Sequence, residues 1–217
     1  MDCKVFLTGI VSATLTVAFA SPAAASQWHD ATSGELLDVG RPISDVNATT
    51  WAYAGSAAHE VCGLRGFVGG FLDGHQSGTR KGIICVPADD GQWFDATNGQ
   101  LLDTGWPIAD TNTASWARAG RAAHEFCIQR GFVGGFLNGH QRGNYKGVIC
   151  IRADSGQWFD ATNGQLLDTG WPVPDTDASR WAQARRAAHE FCTQRGFVGG
   201  FLNGHQRGSY KGVICLR

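Results

Sequence analysis

The sequence has no block of basic residues and, after its N-terminal segment, no long apolar run. Lysine and arginine number 18 against 19 aspartates and glutamates, which gives a net charge of -1. A neutral chain without clustered basic residues lacks the electrostatic footprint of a nucleic-acid-binding protein, and no basic amphipathic helix favours a membrane surface. We therefore expect no nucleic-acid partner and no membrane insertion once the N-terminal segment has been removed.

Motifs for catalysis are also missing. The sequence contains no serine in a nucleophile elbow, no P-loop and no dinucleotide fingerprint. His124-Glu125 does not begin an H-E-x-x-H motif, because Ile128 stands where the second histidine would be needed. Asp95 and Asp103 recur in similar contexts, but a glycosidase needs two carboxyl groups across a cleft, for which the repeated unit offers little room. We predict that the protein is not an enzyme.

The N-terminus has the pattern of a secretory signal. Lys4 precedes an apolar stretch over residues 5–20, and the small residues Ala23-Ala24-Ala25-Ser26 resemble a cleavage site. We predict a signal peptide over residues 1–25, cleavage near Ala25 and a secreted or periplasmic protein. The alternative is a retained N-terminal anchor.

The rest of the chain repeats itself. Gln27-Trp28, Gln92-Trp93 and Gln157-Trp158 begin similar stretches about 65 residues apart. The second and third stretches are almost identical, and the first has diverged further. We divide the chain into repeat 1 (26–91), repeat 2 (92–156) and repeat 3 (157–217). The pattern does not decide between three separate beads and a pseudo-threefold assembly.

Each repeat is predicted to be a small α+β unit with the order hairpin, helix, hairpin. In repeat 2, Asn98-Gly99 is a strong signal for a tight hairpin turn. Apolar residues at helical spacing predict a helix over 116–129, with an N-cap among residues 113–115. Two further strands are predicted over 132–137 and 147–151.

Six cysteines remain after the signal segment, two in each repeat. An even number in an exported chain indicates disulfides. A bridge between helix and last strand would close a loop of about two dozen residues, worth roughly 3 kcal/mol in the chain-entropy model. Pairing between repeats is the alternative. The expected bridges are Cys62–Cys85, Cys127–Cys150 and Cys192–Cys215.

The glycine-rich stretch that follows the helix is the first candidate site. It combines hydrogen-bonding side chains and an aromatic ring on a loop between strands. The alternative is that these polar groups only satisfy the local backbone. The candidate ligand-binding residues are Asp73, His75 and Gln76 in repeat 1, Asn138, His140, Gln141, Arg142 and Tyr145 in repeat 2, and Asn203, His205, Gln206, Arg207 and Tyr210 in repeat 3.

Two tryptophans add to this candidate site. Trp106 and Trp171 each lie between a glycine and a proline, outside any predicted element, and an exposed indole there would stack on a sugar ring. Alternatively, these indoles cover the small core. Repeat 1 has Arg41 at this position, so a tryptophan-dependent site would be altered there. Trp93 and Trp116 are predicted to belong to the core.

A zinc site is a further alternative. His124 and His140, with Glu125 or Asp95, recur in every repeat and offer suitable ligand types. Their spacing matches no known ligand signature, and the cysteines are assigned to disulfides. We predict no metal and no cofactor.

The repetition favours a binding protein. Several weak sites joined by short links raise the effective concentration of the later contacts to about millimolar. The leading hypothesis is an exported, multivalent, lectin-like protein that binds cell-surface or extracellular glycans. The alternatives are a multi-headed protein-binding module, such as an exported inhibitor or adhesin, and a structural envelope protein.

Overall fold

The computed structural model describes residues 25–217 and shows three similar α+β units, as predicted. The expected signal peptide lies outside the described residues except for Ala25. No helix in residues 25–217 is long and apolar enough to cross a bilayer.

The three units share one order of elements. Unit 1 contains β1 (Gln27–Ala31), α1 (Ser33–Asp38), α2 (Trp51–Leu64), β2 (Gly69–Ser77) and β3 (Arg80–Val86). Unit 2 contains β4 (Gly91–Thr97), α3 (Asn98–Leu102), α4 (Trp116–Ile128), β5 (Gly134–Arg142) and β6 (Tyr145–Ile151). Unit 3 contains β7 (Gly156–Thr162), α5 (Asn163–Leu167), α6 (Trp181–Thr193), β8 (Gly199–Arg207) and β9 (Tyr210–Leu216).

The first predicted hairpin is wrong. Asn98 and Gly99 do not form a hairpin turn but begin the short helix α3, with Thr97 as its N-cap. The Thr97 Oγ1 accepts from the backbone N–H of Gln100 at 3.2 Å, and the Gln100 Oε1 accepts from the backbone N–H of Thr97 at 2.8 Å. This capping box satisfies two donors that would otherwise be free at the helix start. It therefore favours the helix over the turn.

Each unit has one three-stranded antiparallel sheet with its last strand in the middle. In unit 2 the order is β4-β6-β5, and Cys150 pairs with Gln92 on one side and Gly135 on the other. The second predicted hairpin is confirmed and extends to residues 134–151. Between Leu137 and Gln141 the register shifts, which marks a β-bulge.

Disulfides fasten each long helix to its own sheet. The predicted pairs Cys62–Cys85, Cys127–Cys150 and Cys192–Cys215 are all present, each with a Cα–Cα distance of 5.4 Å. A Cβ at Gly135 would overlap the Cys127 Sγ and the backbone of Ile149. Glycine at this position therefore lets helix and sheet approach closely enough for the bridge.

The units close into a pseudo-threefold ring. Besides its own sheet, each long helix contacts the next unit: α2 contacts β5, α4 contacts β8, and α6 returns to β2. The indole N–H of Trp51 donates to the Ala114 carbonyl at 2.7 Å, and Trp116 donates to Ser179 at 2.6 Å. Trp181 closes the ring by donating to the Thr49 carbonyl at 2.6 Å. The described units are therefore not separate beads.

A shared apolar core lies on the pseudo-threefold axis. The rings of Phe71, Phe136 and Phe201 meet edge to face with centroid separations of 5.0–5.4 Å. Aliphatic side chains from the sheets complete this axial core: Ile84, Val86, Ile149, Ile151, Ile214 and Leu216. The Arg185 guanidinium faces all three phenyl rings at 4.7–5.7 Å, whereas units 1 and 2 have Gly55 and Gly120 at the matching positions. One buried cation thus breaks the symmetry of the axis.

Candidate ligand-binding site at the unit boundaries

The bulge in the second strand of each unit presses against the preceding unit. Gly139, at the bulge of β5, has a φ of +82°, and a Cβ there would overlap the Ala52 carbonyl on α2. Gly204 has the same φ and the same relation to Ala117 on α4. Only glycine fits this backbone and this approach. The next residue, a histidine in every unit, is thereby held against the neighbouring helix.

The boundary between units 2 and 3 shows the result. His124 and Glu125 on α4 meet Trp158 on β7 and His205 on β8. The ring centroid of His124 lies 4.3 Å from that of Trp158 and 4.9 Å from that of His205. The His205 Nε2 lies 3.1 Å from the Glu125 Oε1. We call this group of an indole, two imidazoles and a carboxylate a boundary cluster.

The other two boundaries repeat this cluster. Between units 1 and 2, the His59 ring lies 4.2 Å from Trp93 and 4.8 Å from His140, and the His140 Nε2 lies 3.2 Å from Glu60. Between units 3 and 1, the rings of His75 and His189 are 4.7 Å apart, and the His75 Nε2 lies 2.9 Å from Glu190. At this third boundary Trp28 lines a groove together with His75, donates its indole N–H to Asp73 at 2.7 Å and is 45% exposed.

Burial sets the charge of most of these imidazoles. It lowers the pKa of His59 to about 4 and that of His124 to about 3, with a smaller contribution from the facing histidine in each case. Burial also lowers the pKa of His140 and His205, although Glu60 and Glu125 oppose it. These four rings are therefore neutral at pH 7 and can accept as well as donate hydrogen bonds.

His75 is the exception. Burial disfavours its charged form, but the carboxylates of Asp73 and Glu190 outweigh burial and raise its pKa. Asp73 is itself fully buried, which by itself would raise its pKa. The nearby imidazoles of His75 and His189 and the backbone N–H of His75 outweigh that burial and lower the Asp73 pKa. The cluster between units 3 and 1 thus carries charge inside the protein, unlike the other two.

The predicted tryptophans lie beside the boundaries and are half-buried. The Arg121 guanidinium covers one face of Trp106 at 4.7 Å, donates to the Gly204 carbonyl and contacts Asp177 at 3.1 Å. Arg186 covers Trp171 at 4.4 Å in the same way. Trp106 is therefore linked, through Arg121, to Gly204 of the next unit. In unit 1, Arg41 instead lies over the ring of Tyr53 at 5.7 Å.

Some predicted loop residues hold the local backbone. Asn138 and Asn203 are fully buried, and their Oδ1 atoms accept from the backbone N–H of the histidine two residues later, each at 3.0 Å. The side chains of Gln76, Gln141 and Gln206 accept from the backbone N–H of Val46, Thr111 and Thr176 at 2.8–2.9 Å. These five side chains therefore serve the fold, which is the alternative interpretation of this stretch.

The remaining predicted residues lie at the hairpin tips. Arg142 pairs across the strands with Tyr145, and Arg207 with Tyr210, next to the turn that joins the strands. Tyr145 is 51% exposed and Tyr210 is 49% exposed. The predicted site is consequently divided among the protein interior, the unit boundary and the tip of the hairpin.

Several boundary residues are not identified by the sequence pattern. The pattern assigns Trp93 and its counterparts Trp28 and Trp158 to the core, and it offers the glutamate after each helix histidine only as a zinc ligand. The recurrent His-Glu pair on an amphipathic helix is the available signal. It cannot be interpreted further from sequence, because its partners lie in a different unit.

Chemically, the clusters at the first two boundaries offer an aromatic ring beside neutral imidazoles and a carboxylate. The cluster between units 3 and 1 offers a more exposed indole beside charged groups. Such a set suits a ligand with both an apolar face and hydroxyl groups. Imidazole and carboxylate atoms are also metal ligands, and two groups of the described residues have them close enough together: Asp73, His75 and His189, and His124, Glu125 and His205. Comparison with protein-family models, curated proteins and solved structures found nothing that matches this chain.

Proposed function

We propose that this is an exported, multivalent carbohydrate-binding protein whose sites are the three boundary clusters. The observation that supports this function is the recurrence of two imidazoles and a glutamate at every boundary. An indole lies against these imidazoles at two boundaries, and at the third the indole of Trp28 donates to Asp73. The C–H face of a sugar ring stacks on an indole, while its hydroxyls need donors and acceptors around the edge. Each cluster supplies both.

The boundary between units 3 and 1 carries the most exposed indole of the three, because Trp28 is exposed whereas Trp93 and Trp158 are half-buried. A groove runs beside the exposed Trp28 indole and next to His75. Its wall combines carboxylate, imidazole and guanidinium groups, which suit the hydroxyls of a saccharide. The groove is lined by Trp28, Asp30, His75, Gln76, Ser77, Arg80, Gly82 and Arg186.

The ring supports multivalency. Because the units share an axial core, the three clusters are held at fixed positions around one axis. When a second site binds, a flexible linker between the sites loses conformational entropy. Sites in a rigid array do not incur this loss, because their relative positions are already fixed. Repeated glycans on a surface can therefore engage several weak sites at once.

Three disulfides in a chain of this size are typical of an oxidising compartment, outside the cell or in the periplasm. The proposed route to that compartment is the signal peptide over residues 1–25, cleaved near Ala25.

A glycan array probed with the oxidised chain tests this function. We expect binding to one class of glycan and agglutination of cells that a free sugar inhibits. Trp158→Ala removes the stacking surface of one cluster. It should lower agglutination at least about tenfold, because avidity depends on the number of sites engaged.

Tyr145→Ala is the matched control, since it removes an exposed ring at a hairpin tip away from the indole of the cluster. It should leave binding unchanged, and thermal unfolding should show that both variants are folded. Equal loss in the two variants would argue against the boundary site. An empty array with one protein retained in a pull-down would favour the multi-headed protein-binding module instead.

A further inference from the structure

Asp73 distinguishes the boundary between units 3 and 1 from the other two. It stands where units 2 and 3 have Asn138 and Asn203, and it is fully buried. The Asp73 Oδ1 accepts from the backbone N–H of His75 at 2.8 Å. The Asp73 Oδ2 accepts from the indole N–H of Trp28 at 2.7 Å. Two donors therefore hold this carboxylate in one orientation.

The same carboxylate faces two imidazole nitrogens. The Asp73 Oδ2 lies 3.2 Å from the His75 Nδ1 and 3.3 Å from the His189 Nδ1. Both nitrogens are shielded from solvent, and neither makes a well-formed hydrogen bond with any described residue. One ligand atom from each of the three residues lies within 4.8 Å of the others. Buried nitrogens that point at a carboxylate without bonding to it indicate a missing partner.

We propose that Asp73, His75 and His189 bind a Zn²⁺ ion at this boundary, in addition to the proposed glycan binding. Zinc bonds to imidazole nitrogen and carboxylate oxygen are about 2.0–2.2 Å long, so two ligand atoms of a tetrahedral site lie about 3.3 Å apart. The two separations from the Asp73 Oδ2, 3.2 and 3.3 Å, match this value. Imidazole and carboxylate are also ligand types that zinc prefers.

The surrounding groups orient these ligands. The Nε2 of His75 lies 2.9 Å from the Glu190 Oε1, so a proton on that nitrogen is donated to Glu190 and the Nδ1 lone pair is left for the metal. Zinc-binding histidines are commonly held by a carboxylate in this way. The Trp28 indole fixes Asp73 from the other side. Three protein ligands leave one coordination position for water or a ligand.

The boundary between units 2 and 3 lacks the inner carboxylate. His124, Glu125 and His205 also lie close together, but Glu125 contacts the Nε2 of His205, as Glu190 contacts that of His75. Asn203 takes the place of Asp73, and its Nδ2 has no hydrogen-bond partner among the described residues. An amide nitrogen is not a metal ligand. The boundary between units 2 and 3 is therefore an internal control for the role of Asp73 at the boundary between units 3 and 1.

Isothermal titration calorimetry of the oxidised chain with Zn²⁺ alone tests the proposal. We expect uptake of one equivalent at micromolar or lower concentration and a rise in the melting temperature, because an ion that binds only the folded state stabilises it. Asp73→Asn should weaken this binding about a hundredfold or more, since even indirect supports of zinc ligands contribute ten- to a hundredfold. Asparagine occupies this position in the other two units, so the variant should fold.

The reverse substitution, Asn203→Asp, places the inner carboxylate between His124 and His205 and should raise uptake by one equivalent. No Zn²⁺ uptake by the unaltered chain, or equal affinity in Asp73→Asn, would overturn the site. A stoichiometry unchanged by Asn203→Asp would overturn the assignment of the aspartate as the deciding ligand. Repeating the glycan array with a chelator separates this site from the proposed glycan binding, because either result can fail while the other stands.

Discussion

The buried histidine His124 links the charge of a single residue to the stability of a unit boundary. Its side chain projects from α4 towards the sheet of the next unit and is only 3% exposed. Burial lowers the pKa of His124 to about 3. His205 on β8 faces it directly, with Glu125 and Arg121 on α4 and Asp160 on β7 around the pair. A proton on His124 would therefore be placed beside another imidazole in a site with little solvent.

Acid should consequently destabilise the protein. The unfolded chain binds a proton at His124 near the ordinary histidine pKa of 6.5, whereas the folded chain does so only near a pKa of about 3. The contribution of His124 to the free energy of unfolding is therefore fully present above pH 6.5 and is lost as the pH drops towards 3. At about pH 4.5 the loss is roughly 2–3 kcal/mol for this residue. Urea unfolding at about pH 7.5 and at about pH 4.5 measures this difference in the free energy of unfolding.

His124→Gln should reduce the difference between those two pH values by about 2 kcal/mol, since glutamine does not titrate. His75 has the opposite effect on stability. Because its pKa is raised in the folded protein, its contribution to the free energy of unfolding is present below pH 6.5 and is lost as the pH rises above that value. An acid sensitivity unchanged by His124→Gln would contradict the assignment to this histidine.

At the scale of elements, the long helices differ in how they begin. In α2 and α4 the hydroxyls of Thr50 and Ser115 accept from a backbone N–H in the first turn, at 3.3 Å in both cases. The N-cap of α6 is Arg180, whose side chain makes no capping hydrogen bond. Because arginine has no acceptor atom, the first backbone donors of α6 are left without this partner.

Arg180→Ser should therefore stabilise the protein. Arg180 is exposed and serine stands at the matching position of unit 2, so the change restores the cap at little packing cost. We expect a gain of about 1 kcal/mol in the free energy of unfolding. Ser115→Ala should cost a similar amount in α4. Denaturant titration of both variants tests the two predictions. A loss of stability in Arg180→Ser would contradict the role assigned to the N-cap.

At the scale of the whole molecule, the ring determines what a single unit can do. An isolated unit 2 would expose the axial faces of Phe136, Ile149 and Ile151 and lose the partner of its Trp116 indole. The disulfide would remain, but a unit of this size has a small core of its own. Unit 2 closely resembles its neighbours, so three copies can rebuild the ring.

We expect isolated unit 2, residues 92–156, to form a homotrimer. Isolated unit 3, residues 157–217, should not, because three copies of Arg185 would meet in the axial cavity. Three buried guanidiniums would repel one another, and none would have a carboxylate like that of Asp73 nearby, because unit 3 has Asn203 at that position. Arg185→Gly, which copies Gly120, should restore the trimer. Sedimentation gives the masses, and a folded monomer of unit 2 at micromolar concentration would contradict the prediction.

The number of units, the helix and second hairpin of each unit, and the pairing of the cysteines could all be predicted from the sequence. These features depend on local or within-unit patterns: period, apolar spacing and one complete cysteine pair per repeat. The hairpin predicted at Asn98-Gly99 is wrong, because the flanking Thr97 and Gln100 form a capping box and the two residues between them begin a helix. The closure of the units into a ring, and the contacts of His124 with Trp158 and His205, are visible only in the folded chain. Those contacts join residues from different repeats, and near-identical repeats carry no signal that says which copy faces which.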